Sequence, residues 1–319
     1  MIKPHSDVLS VIIVNRNTAD LLLECLRHIL ESETDRKIEI TVVDNGSSDG
    51  SVDLVKKSFP ETRVIEAGRN LGFARANNLG FAQTSGEFIL LVNTDAMLDR
   101  ECASKLLKTM ESNPYIGMVG PQLLNADGSR QTSFESTPGL ISEIVGRGVM
   151  KVMFPERHPG KNVQLKGPTE VETLIGAVML IRRAAWIAVD GFDEGFFFFF
   201  EETDLALRMR KSGWFVYHDP NAKAVHLQGA TAGQYKAAPR IEYYRSRYLF
   251  IRKNYGAVGE FILKIFLTAN LTLNVIALGL ASIFCLGKSG RINDRLRQRA
   301  ALWRWHMNGL PSDAGLPRD

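Results

Sequence analysis

The chain has 319 residues, 45% of them hydrophobic and 23% charged, which lies inside the range of ordinary globular proteins and excludes a disordered or fibrous chain. Its net charge of +4 is uneven: residues 240–319 carry thirteen Lys/Arg against five Asp/Glu, net +8, and the remainder is net −4, so a basic partner surface, if any, lies in the C-terminal part. Cys25, Cys102 and Cys285 are far apart and show no CxxC pairing, so neither a disulfide framework nor a zinc knuckle is indicated and a reducing compartment is the simpler reading.

From Val8 to Pro121 short apolar runs alternate with amphipathic ones. VLSVIIVN predicts a first buried strand rather than a signal peptide, because Asn15, Arg16 and Asn17 follow it at once. A helix near 18–31, the strand IEITVVD, a helix over 51–58 and the strand RVIEA come next. A helix over 73–83, the strand EFILLVN, a helix near 101–112 and the strand IGMVG complete the series. Strand runs without polar alternation, separated by helices, predict a mostly parallel sheet covered on both faces. Such a sheet binds ligands at the carboxyl ends of its strands. Polar residues cluster at those ends: Asn15 and Arg16, Asp44 and Asn45, Asn93 and Asp95.

Residues 125–170 lack a long period and read as a loop-rich excursion. ETLIGAVMLIRR then resumes as a strand, GFDE makes a turn, and a helix over about 202–212 follows five consecutive phenylalanines. WFVYHD and AKAVHL read as two closing strands. In the tail, Ile265 to Leu286 is free of charge across 22 residues, close to the ~20 that span a bilayer core. Asn270 and Asn274 interrupt it, Lys264 precedes it, and Lys288, Arg291, Arg295, Arg297 and Arg299 follow. These features predict membrane contact, against the alternative of a buried or interfacial helix pair.

Each chemical motif alone has a plain structural reading. Asp44 ends a strand and can accept a hydrogen bond from a base N–H, or simply open an Asx-turn before the next helix. In NLGFARANNLG the small residues around Asn70 and Gly72 let backbone approach a diphosphate and Arg75 can face one; the same stretch is equally a glycine-punctuated helix. LLVNTDAML places Asn93, Thr94 and Asp95 where the cleft should open, and a hard divalent cation bridging two phosphates needs few protein carboxylates. His226 can join the metal or a phosphate from the far side. Glu201 and Glu202 follow the Phe run, and an apolar wall beside a carboxylate disfavours its charged form, tuning a base toward neutral pH. The alternative is a core strand followed by glutamates favoured by a helix dipole.

Their order is what is specific. Strand-end Asp44, NLGFARANN, strand-end NTD, GAVMLIRR, GFDEGFFFFFEETDLALRMRKSGW and a later His resemble the inverting family 2 glycosyltransferases of fold type A over about residues 8–230, in the rhamnosyltransferase-like branch that builds bacterial surface polysaccharides. The resemblance implies an α/β, Rossmann-like GT-A catalytic domain over residues 1–235 and a helical, basic and apolar tail over 236–319. It implies that Asp44 reads the pyrimidine with Asn15 near the same pocket, and that Asn45, Asn70, Gly72, Arg75, Asn93 and Thr94 contact the nucleotide sugar. Asp95 is the firm ligand for Mg²⁺ or Mn²⁺, since the family's first acidic position is Asn93 here, and His226 is a second candidate. The resemblance also implies that Gly176, Phe192 and Asp193 line the acceptor site. The family's Glu-Asp pair is Glu201-Glu202 here, so Glu202 takes the role of base and Glu201 orients its neighbours.

The implied reaction moves one sugar, with rhamnose a candidate, from a nucleoside-diphosphate sugar to a hydroxyl of a lipid-linked or other glycan acceptor. The implied place is the cytoplasmic face of a bacterial inner membrane, with no nucleic-acid partner. A processive synthase is the nearest rival, but the Gln of its Gln-x-x-Arg-Trp motif is Ala301 before Arg304-Trp305, and there is one long apolar segment. A nicotinamide dehydrogenase needs G-x-G-x-x-G where VNRNTAD stands. A pyrophosphorylase needs a Gly-rich loop with Arg and Lys after Val14. A non-catalytic sugar-nucleotide binder of the same fold is the rival from another class, and Asp95, the acidic pair and His226 argue against it.

Overall fold

The structure, a computed structural model, describes residues 4–154, 165–227, 238–285 and 289–318. In chain order the elements are β1 (His5–Asn15), α1 (Ala19–Leu30), β2 (Lys37–Asp44), α2 (Ser51–Ser58), β3 (Arg63–Glu66), α3 (Phe73–Phe81), β4 (Gly86–Asn93), β5 (Ala96–Leu98), α4 (Cys102–Glu111) and β6 (Ile116–Leu124). Then come β7 (Phe134–Glu135), α5 (Leu140–Val145), α6 (Arg147–Met153), β8 (Thr169–Glu170), β9 (Thr173–Leu174), β10 (Val178–Arg182), α7 (Arg183–Ala188), α8 (Glu201–Lys211), β11 (Phe215–His226), α9 (Ala238–Phe284) and α10 (Gly290–Met307).

The expected mostly parallel, two-faced sheet is present. Its order is β3-β2-β1-β4-β10-β6-β11-β5, with β8 also on β11. β3, β2, β1 and β4 run parallel, β10 enters antiparallel between β4 and β6, and β11 is parallel to β6. The apolar strand runs explain why both faces are covered, because successive side chains point to opposite sides. Val11, Ile13, Val42, Leu90 and Leu180 enter one buried cluster with α1 and α4, while Ile12, Val43, Ile89, Leu91 and Met179 enter the other with α3 and α8. Register then sets the site: Asn15 pairs with Asp44, and Val14 with Asn93, so the polar strand ends stand level at one edge.

Three expectations change in detail. ETLIGAVMLIRR is not one strand: it breaks over 175–177 between β9, which pairs with β7, and β10 in the main sheet. WFVYHD and AKAVHL form a single strand, β11, with a register shift between Asp219 and Lys223. The excursion over 125–170 contains β7, α5, α6 and β8, and its residues 155–164 are outside the described ones.

A third core belongs to the Phe run and the tail. Phe196 and Phe200 pack with Ile241, Tyr248, Phe250, Ile251, Leu263 and Trp305 of α9 and α10. The boundary expected at 235/236, and Leu286 and Lys288 of the tail, lie outside the described residues. α9 bends at Gly256, whose φ of 73° and ψ of 179° leave the helical region. Beyond the bend its Leu263, Leu267 and Leu271, four residues apart, form one buried stripe, while Phe261, Ile265, Leu273, Ile276 and Leu280 are exposed. By length and composition α9 can cross a membrane, and 17% of its apolar window is buried inside the protein.

Candidate active site

A cavity of about 560 Å³ opens at the carboxyl ends of β1, β2 and β4. It brings together Asn45, Asn70, Gly72, Asn93, Thr94, Asp95, Gly176, Glu201, Glu202 and His226, all named from the sequence. Arg16 and Phe197 to Phe199 line it as well.

Behind the cavity, Asn15 is fully buried and organises the strand ends. Its Nδ2 faces Asp44 Oδ1 at 3.1 Å, Ser47 Oγ at 3.0 Å and Ser51 Oγ at 2.8 Å, and Thr18 Oγ1 donates to its Oδ1 at 2.8 Å. Thr18 Oγ1 also lies 2.9 Å from Thr94 Oγ1, which joins this hub to the NTD loop. Asp44 Oδ2 accepts from Ser47 N, three residues on, at 3.0 Å, which closes the turn after β2, and neither Asn15 nor Asp44 is among the cavity-lining residues. Asn45 links this turn to the loop before α3: its Nδ2 donates to Asn70 Oδ1 at 2.9 Å and its Oδ1 accepts from Leu71 N at 2.7 Å. Gly72 has φ 79°, and a Cβ there would lie 2.6 Å from Phe197 Cδ2, so the close approach of this loop to the Phe run requires glycine.

On one side of the cavity, Asp95 Oδ1 and His226 Nε2 are 3.4 Å apart. Gln131 fixes the imidazole. Its Nε2 donates to Asn125 Oδ1 at 2.8 Å and to the His226 carbonyl, so its Oε1, 3.1 Å from His226 Nδ1, must accept, and Nδ1 carries the proton in the neutral ring. In that neutral form the Nε2 lone pair faces the Asp95 carboxylate. Two lone-pair donors turned toward each other suit a cation between or beside them, so the donor set fits a divalent metal with two protein ligands. Among the described residues no cluster of three or more His, Cys, Asp or Glu offers a complete protein cage. Phosphate oxygens and water would have to complete such a shell.

Glu201 and Glu202 enter from α8. The turn before them is strained: Phe199 and Phe200 have φ of 71° and 68°, left-handed conformations that cost on the order of 1–3 kcal/mol each for bulky residues. The turn is held by Phe73 N donating to Phe197 O at 2.8 Å, Ser246 Oγ donating to Phe198 O at 2.8 Å, and the Tyr243 ring 5.6 and 5.3 Å from those of Phe199 and Phe200. Glu201 is 5% exposed, and burial, reinforced by the Glu202 charge beside it, pushes its carboxyl well above the usual carboxylate range. Glu202 is half-buried and packs beside Gly176, whose hydrogen-only side lies toward its Cβ and carboxyl carbon.

Three expected residues are elsewhere. Arg75 does not reach the cavity: it pairs with Glu194 at 2.8 Å on the exposed side of α3, because two residues along a helix from cavity-lining Phe73 is a turn of about 200°. Phe192 and Asp193 line a second cavity, of about 600 Å³, which shares none of the first cavity's lining residues. Phe192 packs edge-on against Trp186 and Phe73, and Asp193 pairs with Lys253 at 2.5 Å, so neither faces the first cavity. Sequence reasoning missed Gln131, Leu316 and Pro317; they carry no motif and reach the site only through the fold. Arg16 and the Phe wall had a signal, since both stood in runs already singled out.

The sequence pattern of Glycosyl transferase family 2 matches residues 10–188. Over 265 residues the chain is 30% identical to the N-acetylglucosaminyl-diphospho-decaprenol L-rhamnosyltransferase of Mycobacterium tuberculosis, covering 77% of this chain and 84% of that protein. It is 25% identical over 230 residues to rhamnosyltransferase WbbL of Escherichia coli, covering 68% of this chain and 82% of WbbL. Among solved structures it resembles the mannosyltransferase PcManGT from Pyrobaculum calidifontis, in complex with GDP-Man and Mn²⁺, with a TM-score of 0.57 at 17% identity. That match covers 98% of this chain and 89% of the other, and it is a likeness of fold.

Proposed function

The chain belongs to glycosyl transferase family 2 and is a glycosyltransferase, and on that premise we propose that it transfers a single sugar, rhamnose foremost, with inversion from a nucleoside-diphosphate sugar to a hydroxyl of a lipid-linked glycan. The observation that carries this reading is the single cavity that sets Asp95 and His226 together with the Glu201-Glu202 pair. The choice of rhamnose and of a lipid-linked acceptor rests on the rhamnosyltransferase relatives, one of them named for a decaprenol-linked substrate.

In this reading the loops at the ends of β1 and β2 hold the nucleotide, with Asp44 and Asn15 shaping the base pocket and Asn45 the wall beside it. Arg16 brings positive charge to the same end of the cavity. Asp95 and His226 would hold Mg²⁺ or Mn²⁺, which supplies charge neutralisation for the departing diphosphate. Glu202 takes the proton from the acceptor hydroxyl as its oxygen bonds to the anomeric carbon, and the bond from that carbon to the diphosphate oxygen breaks, its electron pair leaving with the nucleotide. Burial holds the Glu201 carboxyl well above the usual carboxylate range, and the role of base is assigned to the less buried Glu202. Phe197 to Phe199 exclude water from the reacting centre.

The exposed apolar side of α9 and the basic residues of α10 support a place on the cytoplasmic face of a membrane, where a lipid-linked acceptor is held. The test is a panel of UDP-, dTDP- and GDP-sugars, rhamnose donors among them, with Mg²⁺ or Mn²⁺ and a polyprenyl-diphosphate glycan acceptor. Sugar transfer from a rhamnose donor, abolished in Asp95→Ala, is the expected result. Hydrolysis-free binding with no transfer to any acceptor would favour a non-catalytic binder instead.

A further inference from the structure

After α10 the chain turns back across the protein, and Leu316 and Pro317 arrive among the residues that line the active-site cavity. This return is held at many points. Arg245 of α9 donates from Nη2 to the carbonyls of Pro311, Ser312 and Ala314 at 3.1, 3.3 and 2.6 Å, while its Nη1 pairs with Glu242. The other oxygen of Glu242, a fully buried residue, accepts from Arg318 Nη2 at 2.8 Å. Trp305 Nε1 donates to Pro311 O at 3.1 Å, and the Arg318 guanidinium lies 4.4 Å over the Phe197 ring. Gly315 has φ 116°, and a Cβ there would collide with the Glu242 carboxylate, so the segment passes where only glycine fits.

The contact with the site itself is Asn70, whose Nδ2 donates to Pro317 O at 2.7 Å. Its Oδ1 already accepts from Asn45 Nδ2 at 2.9 Å and from Gly72 N at 3.1 Å. Both lone pairs of that oxygen are therefore used. Asn70 acts through the returning segment and the loop rather than as an acceptor for the sugar nucleotide. A buried carboxylate shared by two guanidiniums is costly to break, because removing a partner leaves an uncompensated charge. The segment is thus fixed to α9 at both ends, through Arg245 and Glu242, and to the loop before α3 through Pro317. The cavity keeps its 560 Å³ with the segment in place, so the segment bounds the site rather than filling it.

We propose that residues 309–318 form a strap that is a standing wall of the nucleotide-sugar pocket, held by Glu242, Arg245 and Asn70, so that donor affinity depends on the α9–α10 tail. This rests on the reading of the cavity as that pocket. Hydrogen exchange of the full chain, with and without Mg²⁺ and UDP, dTDP or GDP, separates the two claims. Protection of peptides covering 44–49 and 93–95 reports nucleotide in the cavity; if no nucleotide protects them, the pocket reading fails and the strap proposal with it. Given that protection, peptides covering 310–318 gain protection as well. A loss of protection there identifies a plug that must leave, and no change identifies a bystander; either overturns the proposal. Arg245→Ala and Arg318→Ala should each weaken nucleotide binding by roughly tenfold, the scale of one lost apolar wall contact. Melting temperatures without nucleotide distinguish unfolding from loss of the wall, and an unchanged Kd in both folded variants also contradicts it.

Discussion

Burial separates the two adjacent glutamates. Both stand at the start of α8, where the helix dipole favours the anion by at most ~2 kcal/mol in partly buried geometry. For Glu201 burial is the largest influence and the Glu202 charge reinforces it, so desolvation outweighs the dipole and holds the carboxyl well above the usual carboxylate range. The folded-state pKa of Glu201 is raised above its unfolded value of about 4.3, so the folded protein binds the extra proton. Its contribution to stability is full below that unfolded value and is lost as pH rises through the folded one. Glu201→Gln, neutral throughout, should flatten the fall of melting temperature that sets in as pH rises above the unfolded value and melt above the wild type at the alkaline end; melts at acid and alkaline pH check this, and an unaltered pH dependence contradicts it. Gln131 offers a second prediction at this scale. Gln131→Ala frees the His226 ring and should weaken Mn²⁺ binding, titrated in the presence of nucleotide, by about 10–100-fold.

At the scale of elements, the decisive piece is the strained turn from Phe197 to Phe200 that delivers α8 to the cavity. Its φ values persist because α9 packs Tyr243, Ser246 and Phe250 onto it, so the tail's first half is a structural part of the site. The bend at Gly256 then sets the direction of the second half. Its dihedrals are open essentially to glycine alone and nothing lies within 4 Å of a Cβ there, so Gly256→Ala should cost on the order of 1–3 kcal/mol purely through the backbone. Denaturant unfolding measures that cost, and a neutral variant would show that the bend can straighten freely. Much of this frame was legible in the sequence. The apolar runs named β1, β2, β4 and β6, and the polar residues that end the first three did converge, because a parallel register aligns strand ends. Arg75, Phe192 and Asp193 were misplaced because motif proximity carries no information about helix facing or about which of two cavities a neighbouring residue lines. Gln131, Leu316 and Pro317 were illegible, since their roles depend on contacts 95 and about 250 residues away in sequence.

Across the whole molecule, the sheet ends supply Asn45, Asn93 and Asp95 to one cavity, α8 the acidic pair, and the tail Leu316 and Pro317 together with an outward apolar face. Leu273, Ile276 and Leu280 are exposed on that face, and each such side chain gains ~1.5–3 kcal/mol when fully buried. Replacing the three with Gln should shift the protein from anionic vesicles to the soluble fraction in a flotation assay. A wild-type chain that ignores such vesicles would remove the membrane from the account. The central claim is inverting sugar transfer with Glu202 as base, and it is tested most directly by resolving the anomeric configuration of the product by NMR for wild type, Glu201→Gln and Glu202→Gln while measuring nucleotide affinity in each. The account predicts a product of configuration opposite to the donor, a kcat lowered by on the order of 10²–10⁴ in Glu202→Gln with nucleotide affinity preserved, and a smaller loss in Glu201→Gln. A product of retained configuration, or an active Glu202→Gln beside an inactive Glu201→Gln, would contradict it.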